Sequence, residues 1–210
     1  YATTNADGVA KFENVLVSGD KPYTLEEVNT ADRYVVPKTQ RVVIEWNKAT
    51  KKEVENKIIR GSIKGLKIDN ETKENIEGAL FGLFNINETE FTEKTAILTA
   101  ESNEEGIFTF ENVPYGNWYI REIKQPTGFV LDDTVYDVNI SENEQVVEIE
   151  IVNELVRGNI ALTKVDAEYT DTKLTGAVFE VYKDSNDNGE LDSEDELIGT
   201  LTEKEIGQYE

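Results

Sequence analysis

Apolar and polar residues exchange places at every second position through several short runs of this chain. A two-residue period puts alternate side chains on opposite faces of a strand, whereas a helix repeats its apolar face every three to four residues. The runs Ala79–Phe84, Ile97–Ala100, Ile107–Phe110, Trp118–Ile123 and Val146–Val152 are rich in Val, Ile, Thr and aromatic residues and read as strands. Turn residues separate them at Asn103-Glu104-Glu105-Gly106, Pro114-Tyr115-Gly116 and Gln125-Pro126-Thr127-Gly128. Lys48–Lys57 is polar enough for a short helix but reads better as a charged loop leading into a strand. Roughly seven strands in about 100 residues predict a β-sandwich.

The same parity isolates three residues. Val147, Ile149, Ile151, Asn153 and Leu155 share one face, so Asn153 lies among apolar side chains. Trp118, Ile120 and Glu122 share a face, as do Ile63 and Lys67, although Gly65 interrupts that pattern. Lys64, a rival to Lys67 in any reaction, faces outwards by the same rule. A lysine and a glutamate in one core are costly unless paired. Parity alone leaves two readings open: a buried ion pair beside a hydrogen-bonded asparagine, or a reacting group.

The chain also repeats itself. Gly8-Val9-Ala10-Lys11-Phe12-Glu13-Asn14-Val15 returns as Gly106-Ile107-Phe108-Thr109-Phe110-Glu111-Asn112-Val113, and Gly61-Ser62-Ile63 with Lys67 and Asp69 returns as Gly158-Asn159-Ile160 with Lys164 and Asp166. Glu27 and Asn56 precede Glu122 and Asn153 by a similar interval of about 97 residues, and Gly78-Ala79-Leu80-Phe81 returns as Gly176-Ala177-Val178-Phe179. The order implies three units: 1–60 as the C-terminal half of one, 61–157 as a complete one, and 158–210 as the N-terminal half of a third.

Composition narrows the function. Twenty-one basic and 43 acidic residues give a formal net charge of −22. That charge argues against nucleic acid and anionic membrane as partners and favours an extended, self-repelling protein. No apolar run is long enough to span a bilayer. Cysteine, histidine and methionine are absent. Thiol chemistry, disulfides and histidine acid–base catalysis are therefore excluded, and a conventional enzyme is disfavoured. The opening at Tyr1 within a strand-like pattern suggests a processed or excised segment, with any signal peptide or anchor outside it.

The motif order resembles the Cna protein B-type repeat domain of Gram-positive surface adhesins and pilins. It runs from Gly61 through Lys67 and Asp69, then Gly78-Ala79-Leu80-Phe81, then Gly106 to Gly116, then Tyr119-Ile120-Arg121-Glu122 to Phe129, and ends at Asn153. The resemblance implies an all-β fold of tandem transthyretin-like or Ig-like sandwiches arranged end to end, extracellular and at the cell surface. It also implies a spontaneous isopeptide bond, with Lys67 as nucleophile, Asn153 as acceptor and Glu122 as proton shuttle. Glu27 and Asn56 would be the corresponding residues of the first half-unit and Lys164 that of the last. The first half departs from the pattern at Asn29–Tyr34, which lacks the Pro-x-Gly of Pro126–Gly128. The half-units are completed either by neighbouring repeats of a longer array or by other copies of the chain, head to tail, through a Lys164–Asn56 bond.

Two expectations remain. Asp184, Asn186, Asn188, Glu190, Asp192 and Asp195 have EF-hand-like spacing around Gly189, with Glu196 as an alternative last ligand. Calcium is the cation implied, against an acidic hairpin loop that binds nothing, and no cofactor is required. The leading function is a structural stalk or fibre segment, and the alternative is a module that grips a host protein or glycan. Tyr115 and Trp118 could serve that second role, though the parity of Trp118 with Ile120 places it in the core.

Overall fold

The structure, a computed structural model, describes residues 1–210 and is all-β. Two compact units account for the chain: Tyr1–Leu155 and Val156–Glu210.

The first unit begins with short strands: β1 (Tyr23–Leu25), β2 (Tyr34–Val35), β3 (Gln40–Val42) and β4 (Lys57–Ile58). β1 pairs with β3 and β2 with β4, both antiparallel. Lys48–Asn56 forms no helix, as expected of a charged loop. Residues before Tyr23 form no strand, and Val9, Phe12 and Val15 are exposed despite their strand-like sequence. A strand needs a partner for its backbone N–H and C=O groups, and Gly8–Val15 pairs with no other strand.

The rest of the first unit is a sandwich of seven strands. These are β5 (Arg60–Asp69), β6 (Leu80–Asn85), β7 (Leu98–Glu101), β8 (Ile107–Pro114), β9 (Gly116–Lys124), β10 (Tyr136–Ile140) and β11 (Val146–Asn153). One sheet has the order β10-β9-β6-β7, and the other has β11-β5-β8. Ile63, Phe81, Leu83, Phe108, Phe110 and Ile120 are fully buried between them. Phe81 stacks on Phe108 with ring centroids 3.9 Å apart, joining the two sheets.

Gly65 explains the gap in the β5 parity pattern. A Cβ there would meet the Phe108 ring at 1.9 Å, so the ring occupies the space a side chain would need. Gly106 closes the β7–β8 turn at φ +70°, a left-handed conformation that glycine adopts without strain. β5 and β11 pair in parallel, from Ser62 opposite Val146 to Asp69 opposite Asn153. The chain therefore enters this sandwich at one end and leaves it at the other.

The second unit contains β12 (Leu162–Thr163), β13 (Phe179–Lys183), β14 (Glu196–Leu201), β15 (Glu203–Glu205) and β16 (Gln208–Tyr209). β13 pairs with β14, and β16 lies between β12 and β15. Its one fully buried aromatic side chain, Tyr209, meets Phe179 edge-on at 4.9 Å. β12 is two residues long where β5 has ten. β5 is held on both sides, by β11 and β8, whereas β12 has only β16.

Candidate functional site

Three strands bring Lys67, Glu122 and Asn153 together. Lys67 lies on β5 opposite Ile151 of β11, and Asn153 follows two positions on, so both side chains share the inward face. Glu122 comes from β9 in the facing sheet, opposite Phe81 of β6. Relative exposures are 0% for Lys67, 1% for Glu122 and 2% for Asn153, so all three are cut off from water. Lys64 is exposed, which removes it as a rival.

Lys67 Nζ donates a hydrogen bond to Asn153 Oδ1. Asn153 Nδ2 donates to both carboxyl oxygens of Glu122, at 3.1 and 3.2 Å. Lys67 Nζ and Glu122 Oε1 are 3.7 Å apart. Phe81 floors the site, its ring centroid 5.6 Å from Lys67 Nζ. The amide of Asn153 is thus oriented at both ends, with its oxygen towards the amine and its nitrogen towards the acid.

Burial decides the protonation states. It pushes the Lys67 pKa below its ordinary value, against the opposing pull of Glu122 and Asp132. It pushes the Glu122 pKa up, against a hydrogen bond from the Asp132 backbone, the charge of Lys67 and the bond from Asn153. Both shifts favour a neutral amine beside a neutral acid over an ion pair, because removing two charges from water costs several kcal/mol each in a protein interior.

Asp132 and Tyr136 also belong to the site, and Asp132 carries no signal in the sequence pattern. The Asp132 N–H bonds Glu122 Oε2 at 2.7 Å, and the Tyr136 hydroxyl bonds Asp132 Oδ2 at 2.6 Å. Partial burial raises the Asp132 pKa, but hydrogen bonds from Thr134 and Tyr136 outweigh it and hold the carboxyl below its ordinary value. Asp132 sits in a loop, where parity has nothing to say, and only the fold brings it beneath Glu122.

Glu27 and Asn56 also meet. Asn56 Nδ2 donates to Glu27 Oε2 at 2.9 Å, to Thr30 Oγ1 at 3.2 Å and to the Val35 carbonyl at 3.3 Å. Both residues are half-buried, and Lys164 is exposed.

Asp184, Asn186, Asn188, Glu190, Asp192 and Asp195 occupy one exposed loop between β13 and β14. Asp184 accepts from the N–H groups of Asn188 and Gly189 at 3.2 and 2.7 Å. Asn186 and Asn188 turn their amide nitrogens on Asp192 Oδ2 at 3.0 and 2.7 Å. The Glu190 N–H bonds Asn188 Oδ1 at 2.7 Å, and Asp195 Oδ2 accepts from the Asp192 N–H at 3.0 Å. No three His, Cys, Asp or Glu side chains converge in a metal-holding group.

Known proteins share this fold. Residues 61–155 match the family model described as SpaA, prealbumin-like fold domain. The matched stretch is the central sandwich, β5 to β11. The chain also matches the Bacillus anthracis TIE protein at 21% identity and a TM-score of 0.77, over 99% of this chain and 36% of that one, a likeness of fold. Further matches are BcpA*(D312A), the major pilin subunit of Bacillus cereus, and the pilus 2b backbone protein of group B streptococcus. The first has 30% identity, covers 55% of this chain and 32% of that one, and has a TM-score of 0.41. The second has 23% identity, covers 67% and 55%, and has a TM-score of 0.40. The chain spans about a third of the length of the first structures it matches. A comparison with curated proteins gives no match. No helix is long and apolar enough to cross a membrane.

Proposed function

We propose that the chain is a structural segment of an extracellular stalk or pilus-like fibre on a Gram-positive cell surface, and that its central domain hardens itself by an isopeptide bond between Lys67 and Asn153. The observation that carries this reading is the buried contact of Lys67, Asn153 and Glu122. The SpaA-type match over residues 61–155 supports the structural role.

The reaction follows from the contacts. The neutral Lys67 Nζ attacks Cγ of Asn153, and a new Nζ–Cγ bond forms. Glu122, protonated, polarises the amide, receives the proton released by Nζ and delivers one to Nδ2. The Cγ–Nδ2 bond breaks, ammonia leaves, and Glu122 is protonated again. Burial holds the partners at reacting distance, in place of an external catalyst. The product amide has no charge to bury. Each domain reacts once, so this is self-modification and not turnover.

Intact mass under denaturing conditions tests the reading. Loss of one ammonia makes the parent about 17 Da lighter than its sequence, as for any covalent modification that removes atoms. Lys67→Ala, Asn153→Ala and Glu122→Gln are each expected at full mass. A parent at full mass would leave an ion-paired lysine and favour the ligand-gripping module. Trp118 does not favour that module, since it packs against the core and donates its Nε1–H to the Pro114 carbonyl.

Calcium enters only at the Asp184–Asp195 loop, and binding there requires Asn186 and Asn188 to turn their amide oxygens inwards. Calorimetric titration that releases no heat with calcium would remove it.

A further inference from the structure

The two carboxyl oxygens of Glu122 have unequal surroundings. Oε1 lies 3.1 Å from Asn153 Nδ2 and 3.7 Å from Lys67 Nζ. Oε2 lies 3.2 Å from the same Nδ2 and accepts from the Asp132 N–H at 2.7 Å. A backbone N–H only donates, so Oε2 is committed as an acceptor. In a neutral acid the carbonyl oxygen takes that part, and the proton falls to Oε1, the oxygen within reach of both nitrogens.

The Asp132 N–H is held in place from both sides. Upstream, the Val130 N–H donates to the Glu154 carbonyl at 2.8 Å and Phe129 bridges Leu155, which ties the loop to the chain just beyond Asn153. Downstream, Tyr136 opens β10, pairs with Ile120 two positions before Glu122, and packs against the core. The Tyr136 hydroxyl donates to Asp132 Oδ2 at 2.6 Å, and the Thr134 N–H donates to Asp132 Oδ1 at 3.0 Å. Burial and the bond to Asp132 push the Tyr136 hydroxyl pKa above its ordinary value, so it stays a donor. The charge of Asp132 works in opposite directions on the buried pair, favouring a neutral Glu122 and a charged Lys67. Its N–H has one effect: it steadies the carboxylate that Glu122 becomes once its proton has left.

We infer that Tyr136 is a positioning residue for bond formation: acting through Asp132, it aims the Asp132 N–H at Glu122 Oε2 and leaves Oε1 to carry the proton. This rests on the isopeptide chemistry proposed for the central domain. Oε1 gives its proton to Asn153 Nδ2 as the Cγ–Nδ2 bond breaks and ammonia leaves, and it takes back the proton that Lys67 Nζ sheds on bonding Cγ. One oxygen thus serves both transfers. Neither Tyr136 nor Asp132 exchanges a proton.

The rate of bond formation tests this. The full chain is made by cell-free synthesis and quenched into denaturant at intervals, and its intact mass reports the loss of about 17 Da. Tyr136→Phe keeps the ring and removes the hydroxyl, whereas Asp132→Ala keeps the N–H and removes the tie. Each is expected to slow the bond on the order of 100-fold, the cost of misplacing a reacting group by about 1 Å. The double variant is expected to be no slower than either alone, because both cut the same chain of hydrogen bonds. Asp132→Asn, which still bonds Thr134 and the tyrosine hydroxyl, is expected to recover most of the rate lost in Asp132→Ala. The pH profile separates positioning from mere support of the fold. Lys67 from β5, Asp132 from the loop and Tyr136 from β10 are the titratable groups facing Glu122. Without its N–H donor the Glu122 carboxyl holds its proton more tightly, so the alkaline limb of the rate is expected at higher pH in Tyr136→Phe than in the parent. Variants as fast as the parent, or slowed equally at every pH, would overturn the positioning role and leave the Lys67–Asn153 reading intact. A parent that never loses ammonia would sink both.

Discussion

Lys67 has no water around it and one carboxyl 3.7 Å away, yet that carboxyl is buried as deeply as the amine. Neither member of the pair can hold a charge cheaply, and the proposed reaction with Asn153 would remove the difficulty. The Glu122→Gln variant isolates this effect. It keeps the shape of the site and blocks the proton relay, so Lys67 stays an amine. The folded pKa of Lys67 lies below its ordinary 10.5, so between those two values the unfolded chain holds the extra proton. Stability then rises with pH across that window and falls as pH drops through the folded pKa. Urea midpoints of this variant are expected to climb as pH rises towards 10.5, whereas the bonded parent, whose Nζ would be an amide, lacks this contribution. A flat profile in the variant would mean that Lys67 is not desolvated. Alternation along the strands was enough to put Lys67, Glu122 and Asn153 on inward faces. It could not reach Asp132, whose role depends on a loop folding under β9.

At the scale of elements, the proposed covalent bond would join the first and last strands of one sheet. Lys67 and Asn153 are 86 positions apart. On the chain-entropy treatment of cross-links, closing a loop of that length stabilises by about 4–5 kcal/mol. Lys67→Ala is therefore expected to lower the unfolding free energy of the central domain by at least that much, measured by urea denaturation. Gly65→Ala is a separate probe of the strand. The new Cβ would lie 1.9 Å from the Phe108 ring, which is itself stacked on Phe81. Overpacking of this kind costs about 1–3 kcal/mol, and an unchanged urea midpoint would contradict the packing described. Most strands of the central sandwich were legible from period and turns. In the second unit the pair β13 and β14, flanking the acidic loop, was also legible, whereas the N-terminal pattern misled. Thus Gly8–Val15 carries the pattern of β8 and forms no strand.

At the scale of the molecule, parallel β5 and β11 give the central domain opposite points of entry and exit. With the proposed bond in place, tension applied there would run along β5 to Lys67, across the amide to Asn153 and out through the end of β11. The residues between the two bonded positions would then carry no load. Single-molecule pulling tests this most directly. The chain has no cysteine of its own, so Lys57→Cys and Arg157→Cys give two unique handles outside the domain. The account predicts that the parent reaches handle rupture without releasing the segment between Lys67 and Asn153. Lys67→Ala is expected to unfold and release that length, about 30 nm for 86 residues. A parent that gives the same 30 nm step as the variant would contradict the claim that this domain bonds itself to bear force.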